Sequence, residues 1–221
     1  MNTFVVTPVV NEEKRIGKVL SELKKTKFAV LVIDDGSKDN TFKIVSKFVN
    51  NNSRFKVLRH GVNLGKGAAM KTGAEAAFKM GADAVIFMDG DGQHDISDLS
   101  KFVNKLSNYD VVFGEREIFQ GVSVRIYGNR LFSFLANLLF RTDLVDYLCG
   151  YRAITSKAYQ KIKWESSGYE VESEMVARVL KNNIKYTKVK VKSIYHDVYK
   201  CFTIMDAIKL LYNIVSWRLT V

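Results

Sequence analysis

The sequence predicts an α/β fold, with a mostly parallel central sheet and helices on both faces. Two observations carry that prediction. Short, nearly all-apolar runs rich in β-branched residues alternate with segments of helical periodicity, at the spacing of βαβ units. The acidic residues then collect where those runs end, and parallel sheets bind ligands at the carboxyl ends of their strands.

The element order follows from the pattern. Strands are expected over 4–7, 28–33, 55–58, 84–88 and 111–113, each too apolar to face water. Helices are expected over 12–25, 41–50, 67–80 and 96–106. Asp39 or Asn40 can cap the second helix, and Asp95 or Ser97 the fourth. After Gly114 the pattern changes: helices are expected over 123–141, 170–180 and 203–219, with a strand over 186–191.

At 221 residues the chain suits one domain over 1–221, with a first half ending at 114 and a second over 115–221. Pro8 is the only proline, and no linker, repeat or low-complexity tract divides the chain. The formal charge of +11 favours polyanionic partners: nucleic acid, anionic lipid headgroups or phosphorylated substrates. Cys149 and Cys201 form no CxxC pair, and His60, His94 and His196 are far apart. That argues against a zinc site or a disulfide framework and fits a reducing cytosol. No apolar run reaches the ~20 residues that span a bilayer, and no leader pattern is present, so a chain that does not cross a membrane is expected.

Three polar clusters follow strands: Asn11-Glu12, Asp34-Asp35-Gly36-Ser37 and Asp89-Gly90-Asp91-Gly92-Gln93. In Met88-Asp89-Gly90-Asp91-Gly92-Gln93, an extended chain would project Asp89, Asp91 and Gln93 to one side. Three oxygen ligands suit a hard cation such as Mg²⁺ or Mn²⁺, with water or phosphate completing its shell. The bland alternative is an Asp/Gly turn that ends a strand. In Ile33-Asp34-Asp35-Gly36-Ser37, a carboxylate at a strand end can accept hydrogen bonds from a base or ribose; a capped turn is the alternative. Neither GxGxxG nor GxxxxGK[ST] occurs, so a dinucleotide fold and a P-loop are both unsupported.

Taken together, these segments resemble a known family. Thr7-Pro8-Val9-Val10-Asn11-Glu12-Glu13, Asp34-Asp35-Gly36-Ser37 with Asp39 and Thr41, Asn63-Leu64-Gly65-Lys66-Gly67-Ala68 and Asp89-Gly90-Asp91-Gly92-Gln93-His94 stand in the order of family 2 glycosyltransferases of the GT-A fold. Gly114-Glu115-Arg116, Asp146 with Gly150-Tyr151-Arg152, and Gly168-Tyr169 with Glu174-Met175 are similar to its polyprenyl-phosphate (dolichyl-phosphate) sugar synthase branch. The likeness runs to about residue 200.

The resemblance implies an inverting hexosyl transfer from a nucleotide-diphosphate sugar, GDP-mannose or UDP-glucose, to a polyprenyl phosphate. Pro8, Asn11 and Glu12 would border the nucleotide, with Asp35 or Asp34 on base or ribose and Lys66 nearby. Asp89 and Asp91 would hold a divalent metal, Mg²⁺ or Mn²⁺, with Gln93 as third ligand. Arg116 and Arg130 would hold the acceptor phosphate, and Arg152 either phosphate unless it pairs with Asp146. A hydroxyl acceptor would need a carboxylate base instead, with Asp146 and Glu174 as candidates. Cys149 stands where the branch often has serine, and the usual late arginine is missing. His196 or, better, Lys200 would take over diphosphate binding.

The resemblance also implies work at a membrane. Polar residues form one narrow stripe in 130–141 (Arg130, Ser133, Asn137, Arg141) and again in the last helix (Asp206, Lys209, Asn213, Ser216, Thr220). Such broad apolar faces suit burial on several sides or contact with lipid, where Tyr212 and Trp217 fit an interface. The expectation is peripheral attachment to the cytoplasmic membrane face, with or without a separate membrane-anchoring subunit. A basic nucleic-acid-binding module would explain the charge but not three carboxylate clusters, so no nucleic-acid partner is expected.

Overall fold

The computed structural model describes residues 1–117, 137, 142, 144, 146–192 and 194. Their elements are β1 (Thr3–Val9), α1 (Ile16–Lys24), β2 (Ala29–Asp34), α2 (Thr41–Asn50), β3 (Phe55–Arg59), α3 (Lys66–Lys79) and β4 (Ala84–Phe87). A 3₁₀ turn (Ile96–Asp98), α4 (Leu99–Leu106), β5 (Val111–Arg116), β6 (Arg152–Thr155), α5 (Ser156–Ile162), α6 (Val171–Lys181) and β7 (Tyr186–Val191) follow. The expected helices over 123–141 and 203–219 lie outside the described residues, apart from Asn137.

The strands form one sheet in the order β3-β2-β1-β4-β6-β5-β7. β3, β2, β1 and β4 are parallel neighbours, β6 runs antiparallel between β4 and β5, and β7 is parallel to β5. The mostly parallel α/β architecture expected from the sequence is therefore the one observed. Pro8 sits near the end of β1, an interior strand, without breaking the sheet. The β1·β4 register ends at Val6↔Phe87, so its missing N–H falls beyond that ladder.

Two cores cover the two faces. One packs α3, α5 and α6 through Met70, Ala74, Tyr159, Trp164 and Met175. The other packs α1, α2 and α4 through Ile16, Leu20, Val45, Leu99 and Phe102. Each fully buried aliphatic or aromatic side chain contributes about 1.5–3 kcal/mol. The molecule thus closes both sides of the sheet and leaves its strand ends as the polar rim.

Local differences from the expected elements have local causes. α1 starts at Ile16, not at 12, because the preceding loop is latched to the next one. Asn11 takes a left-handed φ of 53°. The backbone N–H groups of Asn11, Glu12 and Glu13 donate to Ser37 Oγ (3.0 Å), Thr41 Oγ1 (2.7 Å) and Asp39 Oδ2 (3.1 Å). Asp39, not Asn40, serves the start of α2, accepting from Thr41 N at 2.9 Å. Asp95 caps the 3₁₀ turn by accepting from Ser97 N at 2.8 Å, and that turn delays α4 to Leu99. β6 and α5 were not expected at all; Thr155 ends the one and caps the other, accepting from Ala158 N.

Candidate active site

The carboxyl ends of β2 and β4 bring the acidic clusters to the same rim. The two aspartates after β2 have different environments. Asp35 is saturated: it accepts from Leu64 N (2.9 Å) and Gly65 N (2.8 Å) and meets His60 Nδ1 at 2.7 Å. His60 Nε2 continues to Thr72 Oγ1 at 3.0 Å. Asp35 therefore ties β2 to the loop that starts α3. Asp34 is 0% exposed, and neither carboxylate oxygen has a hydrogen-bond partner. Arg59 Nε lies 3.0 Å from Asp34 Oδ2, outside hydrogen-bonding geometry.

The loop after β1 faces these residues. Asn11 Oδ1 accepts from Lys38 N at 2.9 Å, and Glu12 Oε2 holds Arg15 Nη1 at 3.0 Å. Pro8 contributes its carbonyl to Gly90 N at 3.3 Å, joining the end of β1 to the acidic turn after β4.

At that turn, Lys66 Nζ lies 2.8 Å from Asp89 Oδ1 and 2.9 Å from Oδ2. It also lies 2.7 Å from Glu172 Oε1, on α6. Burial alone would lower the Lys66 pKa, but the charges of Asp89 and Glu172 raise it. Burial pushes the Asp89 carboxyl up, and Lys66 outweighs it, so the pKa falls below the ordinary value. Asp91 goes the other way, raised first by burial and then by the Asp89 charge. His94 Nδ1 accepts from Asp89 N at 3.2 Å, and its ring stacks on Tyr151 with centroids 4.6 Å apart. Burial holds the His94 pKa below its usual value despite the pull of Asp89 and Asp91.

The chain does not stay extended through this segment. Residues 90 and 91 form a turn, Gly92 has φ 76°, and Asp91 Oδ1 accepts from Gln93 N at 3.0 Å. The strand alternation that would align Asp89, Asp91 and Gln93 is therefore absent. Among the described residues no group of three or more His, Cys, Asp or Glu side chains could hold a metal. Asp89 already engages an ammonium through both oxygens, which leaves Asp91 as the less committed carboxylate. That donor set fits a hard cation that brings most of its oxygen ligands with it, as a diphosphate complex does.

The basic residues separate into two kinds. Arg116, at the end of β5, forms a two-point pair with Asp146: Nε–Oδ2 2.5 Å and Nη2–Oδ1 2.8 Å. Its charge helps to lower the His94 pKa. Arg152, expected on a phosphate or on Asp146, is 1% exposed on β6. It donates to the carbonyls of Cys149 (2.8 Å), Tyr147 (2.9 Å) and Glu172. Asp146 thus pairs with Arg116 and not with Arg152, whose guanidinium staples the 147–149 loop to α6. Arg130, His196 and Lys200 lie outside the described residues.

Glu174 is also tied down. It accepts from Glu165 N (3.0 Å) and Ser166 N (2.8 Å), and Arg178 Nε lies 2.6 Å away. This holds the loop over 164–168 against the start of α3, where Trp164 Nε1 donates to the Gly67 carbonyl at 2.9 Å. Gly65 makes that approach possible: φ is 97°, and a Cβ there would stand 2.4 Å from the Ser167 carbonyl oxygen. Sequence reasoning overlooked Glu172. The signal was an acid at an otherwise buried stretch of helix, masked by the ordinary appearance of Glu-Ser-Glu on a surface.

Acidic groups at the ends of β2 and β4, an arginine at the end of β5 and a mostly parallel sheet together make up a GT-A glycosyltransferase domain. The chain belongs to the glycosyl transferase family 2, whose model matches residues 4–163. It is 32% identical to an uncharacterised protein of Methanocaldococcus jannaschii, over 98% of this chain and 92% of that one. It is 28% identical to the UDP-N-acetylglucosamine–dolichyl-phosphate N-acetylglucosaminyltransferase of Methanococcus voltae, over 98% and 96% of the two chains. Its fold is similar to that of Mycobacterium tuberculosis glucosyl-3-phosphoglycerate synthase, solved with Mn²⁺, UDP and phosphoglyceric acid. There the TM-score is 0.76 at 17% identity, covering 99% of this chain and 78% of the other.

Proposed function

We propose that this glycosyltransferase moves a hexose from a nucleoside-diphosphate sugar to a polyprenyl phosphate of the dolichyl type at a membrane surface. The observation that carries the reading is the near end-to-end likeness to the Methanococcus voltae enzyme, whose name specifies a dolichyl-phosphate acceptor. The same name supports a UDP-linked donor, with GDP-mannose as the alternative. The donor half is residues 1–114 and the acceptor half 115–221.

Each site residue has a part in this reading. The oxygens of Asp34 pair with the Arg59 charge but accept no hydrogen bond, which suits an imide N–H of the base. Asn11, Glu12 and Pro8 wall the nucleotide, while Asp35 shapes that wall through the loop it binds. Asp91, with Gln93, would hold Mg²⁺ or Mn²⁺ against the diphosphate. Such a cation neutralises charge that builds on the departing nucleoside diphosphate. Lys66 fixes Asp89 beside it.

The acceptor decides what else the protein must do. A phosphate monoester has its second pKa near ~6, so its oxygen is mostly deprotonated at neutral pH. It attacks the anomeric carbon as it stands, the bond to the diphosphate oxygen breaks, and no general base is required. Arg116 would receive that phosphate, with Asp146 fixing the plane of its guanidinium. A hydroxyl acceptor would need a base, and both candidate carboxylates are engaged: Asp146 by Arg116, Glu174 by two backbone N–H groups and Arg178.

No described helix is long and apolar enough to cross a membrane. The charge of +11 supports peripheral attachment to an anionic cytoplasmic face, directly or through an anchoring subunit. The test pairs UDP-glucose, UDP-N-acetylglucosamine and GDP-mannose in turn with a short polyprenyl phosphate or the matching polyprenol, and reads glycosylated lipid by mass. Product from one donor with the phosphate alone supports the reading. Product from the alcohol would overturn the acceptor assignment.

A further inference from the structure

Glu172 Oε2 is a buried carboxylate oxygen without a hydrogen-bond partner, on a side chain only 5% exposed. Its sister oxygen holds Lys66 Nζ at 2.7 Å, and the Glu172 backbone carbonyl accepts from Arg152. A buried acceptor left dry in this way calls for an explanation, and a donor supplied by a ligand is one. Resting on the donor reading above, we propose that Glu172 determines donor specificity, by accepting a hydrogen bond from a hydroxyl of the transferred hexose.

Three features point to the hexose and not to another part of the donor. A carboxylate accepts and cannot donate, so it repels phosphate and suits a hydroxyl. Position along the sheet agrees. Asp34 ends β2, the Asp89–Asp91 turn follows β4, and the Glu172 carbonyl is fastened to Arg152 of β6, the next strand beyond. At about 4.8 Å per strand, β2 to β4 spans about 10 Å and β6 adds about 5 Å. Base, diphosphate and sugar would then lie in that order across the rim. The third feature is the bare backbone and aromatic ring beside the cluster. Gly150 flanks the pair, where a Cβ would stand 2.6 Å from Asp89 Oδ2 and 2.7 Å from Lys66 Nζ. Tyr169, 67% exposed with its ring 5.9 Å from Lys66 Nζ, forms an outer wall of the kind a sugar face packs on.

The experiment is calorimetric titration, with Mn²⁺ present, of wild type, Glu172→Gln and Glu172→Ala. The titrants are UDP, GDP, their hexose conjugates and single-deoxy versions of the accepted conjugate. In both variants, affinity for the nucleoside diphosphate is expected to change less than about twofold, while affinity for the nucleotide sugar falls about tenfold or more. One deoxy donor is expected to bind wild type more weakly than its parent, yet to bind Glu172→Ala as well as its parent. Equal weakening of nucleoside diphosphate and nucleotide sugar would overturn the proposal, because Glu172 would then only position Lys66. Deoxy donors that discriminate equally in wild type and variant would also overturn it. Wild type that binds neither UDP nor GDP would overturn the donor reading itself. Glu172→Gln keeps the test open should the alanine variant fail to fold.

Discussion

Lys66 Nζ is shared between two carboxylates, both oxygens of Asp89 on one side and Oε1 of Glu172 on the other. A single ammonium therefore joins the end of β4 to α6. Replacing it with methionine keeps the volume and leaves the buried Glu172 facing the half-buried Asp89 with no cation between them. Breaking a buried pair in this way costs about 3–5 kcal/mol. Lys66→Met is expected to lower the denaturation midpoint sharply and to abolish measurable transfer, as denaturant unfolding and a transfer assay would show.

Gly150 tests the same cluster by shape. The carbon added by Gly150→Ala would press on Asp89 Oδ2 at 2.6 Å and on Lys66 Nζ at 2.7 Å. Something must shift, and both contacts are ends of side chains, so the backbone can stand. We expect far-ultraviolet circular dichroism to be unchanged while transfer falls on the order of 10²-fold, the size of effect that small misplacements at reacting groups produce.

Arg116 and Asp146 separate the two acceptor chemistries. If Asp146 orients Arg116, Asp146→Asn keeps one acceptor oxygen for the guanidinium and mainly raises KM for the polyprenyl phosphate, about tenfold. If it served as a general base, the same change would leave KM alone, lower kcat by about 10²-fold or more, and remove the acidic limb of the pH–rate profile. Steady-state kinetics against acceptor concentration distinguishes them.

Much of this arrangement was legible in the chain, and the gaps have physical causes. β1, β2 and β4 are nearly uniform apolar runs, which is what parallel strands covered on both faces require. β3, expected to be equally buried, is the edge strand, and Lys56, Leu58 and Arg59 are exposed there. β6 escaped because it opens with Arg152, a buried guanidinium whose charge is matched by backbone carbonyls that no local pattern reveals. α1 escaped at its start because Asn11, Glu12 and Glu13 bind residues from the next loop, and long-range latches leave no periodicity. At the site, the acidic clusters were found where expected. Which of Asp34 and Asp35 accepts hydrogen bonds from the next loop was hidden, since it depends on the backbone N–H groups of Leu64 and Gly65. Glu172 and Glu174 look alike in sequence, yet one meets Lys66 and the other holds a loop.

Glu174 gives a pH-dependent consequence. Burial would raise its pKa, but hydrogen bonds from Ser166, Glu165 and Arg178 outweigh that and lower it from 4.5. A depressed carboxylate stabilises the fold fully above its unfolded value. That contribution is lost as pH falls through the lower folded value. Glu174→Gln is expected to cost about 3 kcal/mol near neutral pH. Thermal unfolding from pH 7 downwards should show the gap to wild type closing below about pH 4.5.

The most direct test of the central claim is release of UDP or GDP by wild type and Asp91→Ala, with a cognate donor. Each is measured with Mn²⁺ or with chelator, and with or without a short polyprenyl phosphate. The account predicts release only when cation and lipid phosphate are both present, reduced at least about 10²-fold in Asp91→Ala. Equal release in chelator, or release from Asp91→Ala at the wild-type rate, would contradict it.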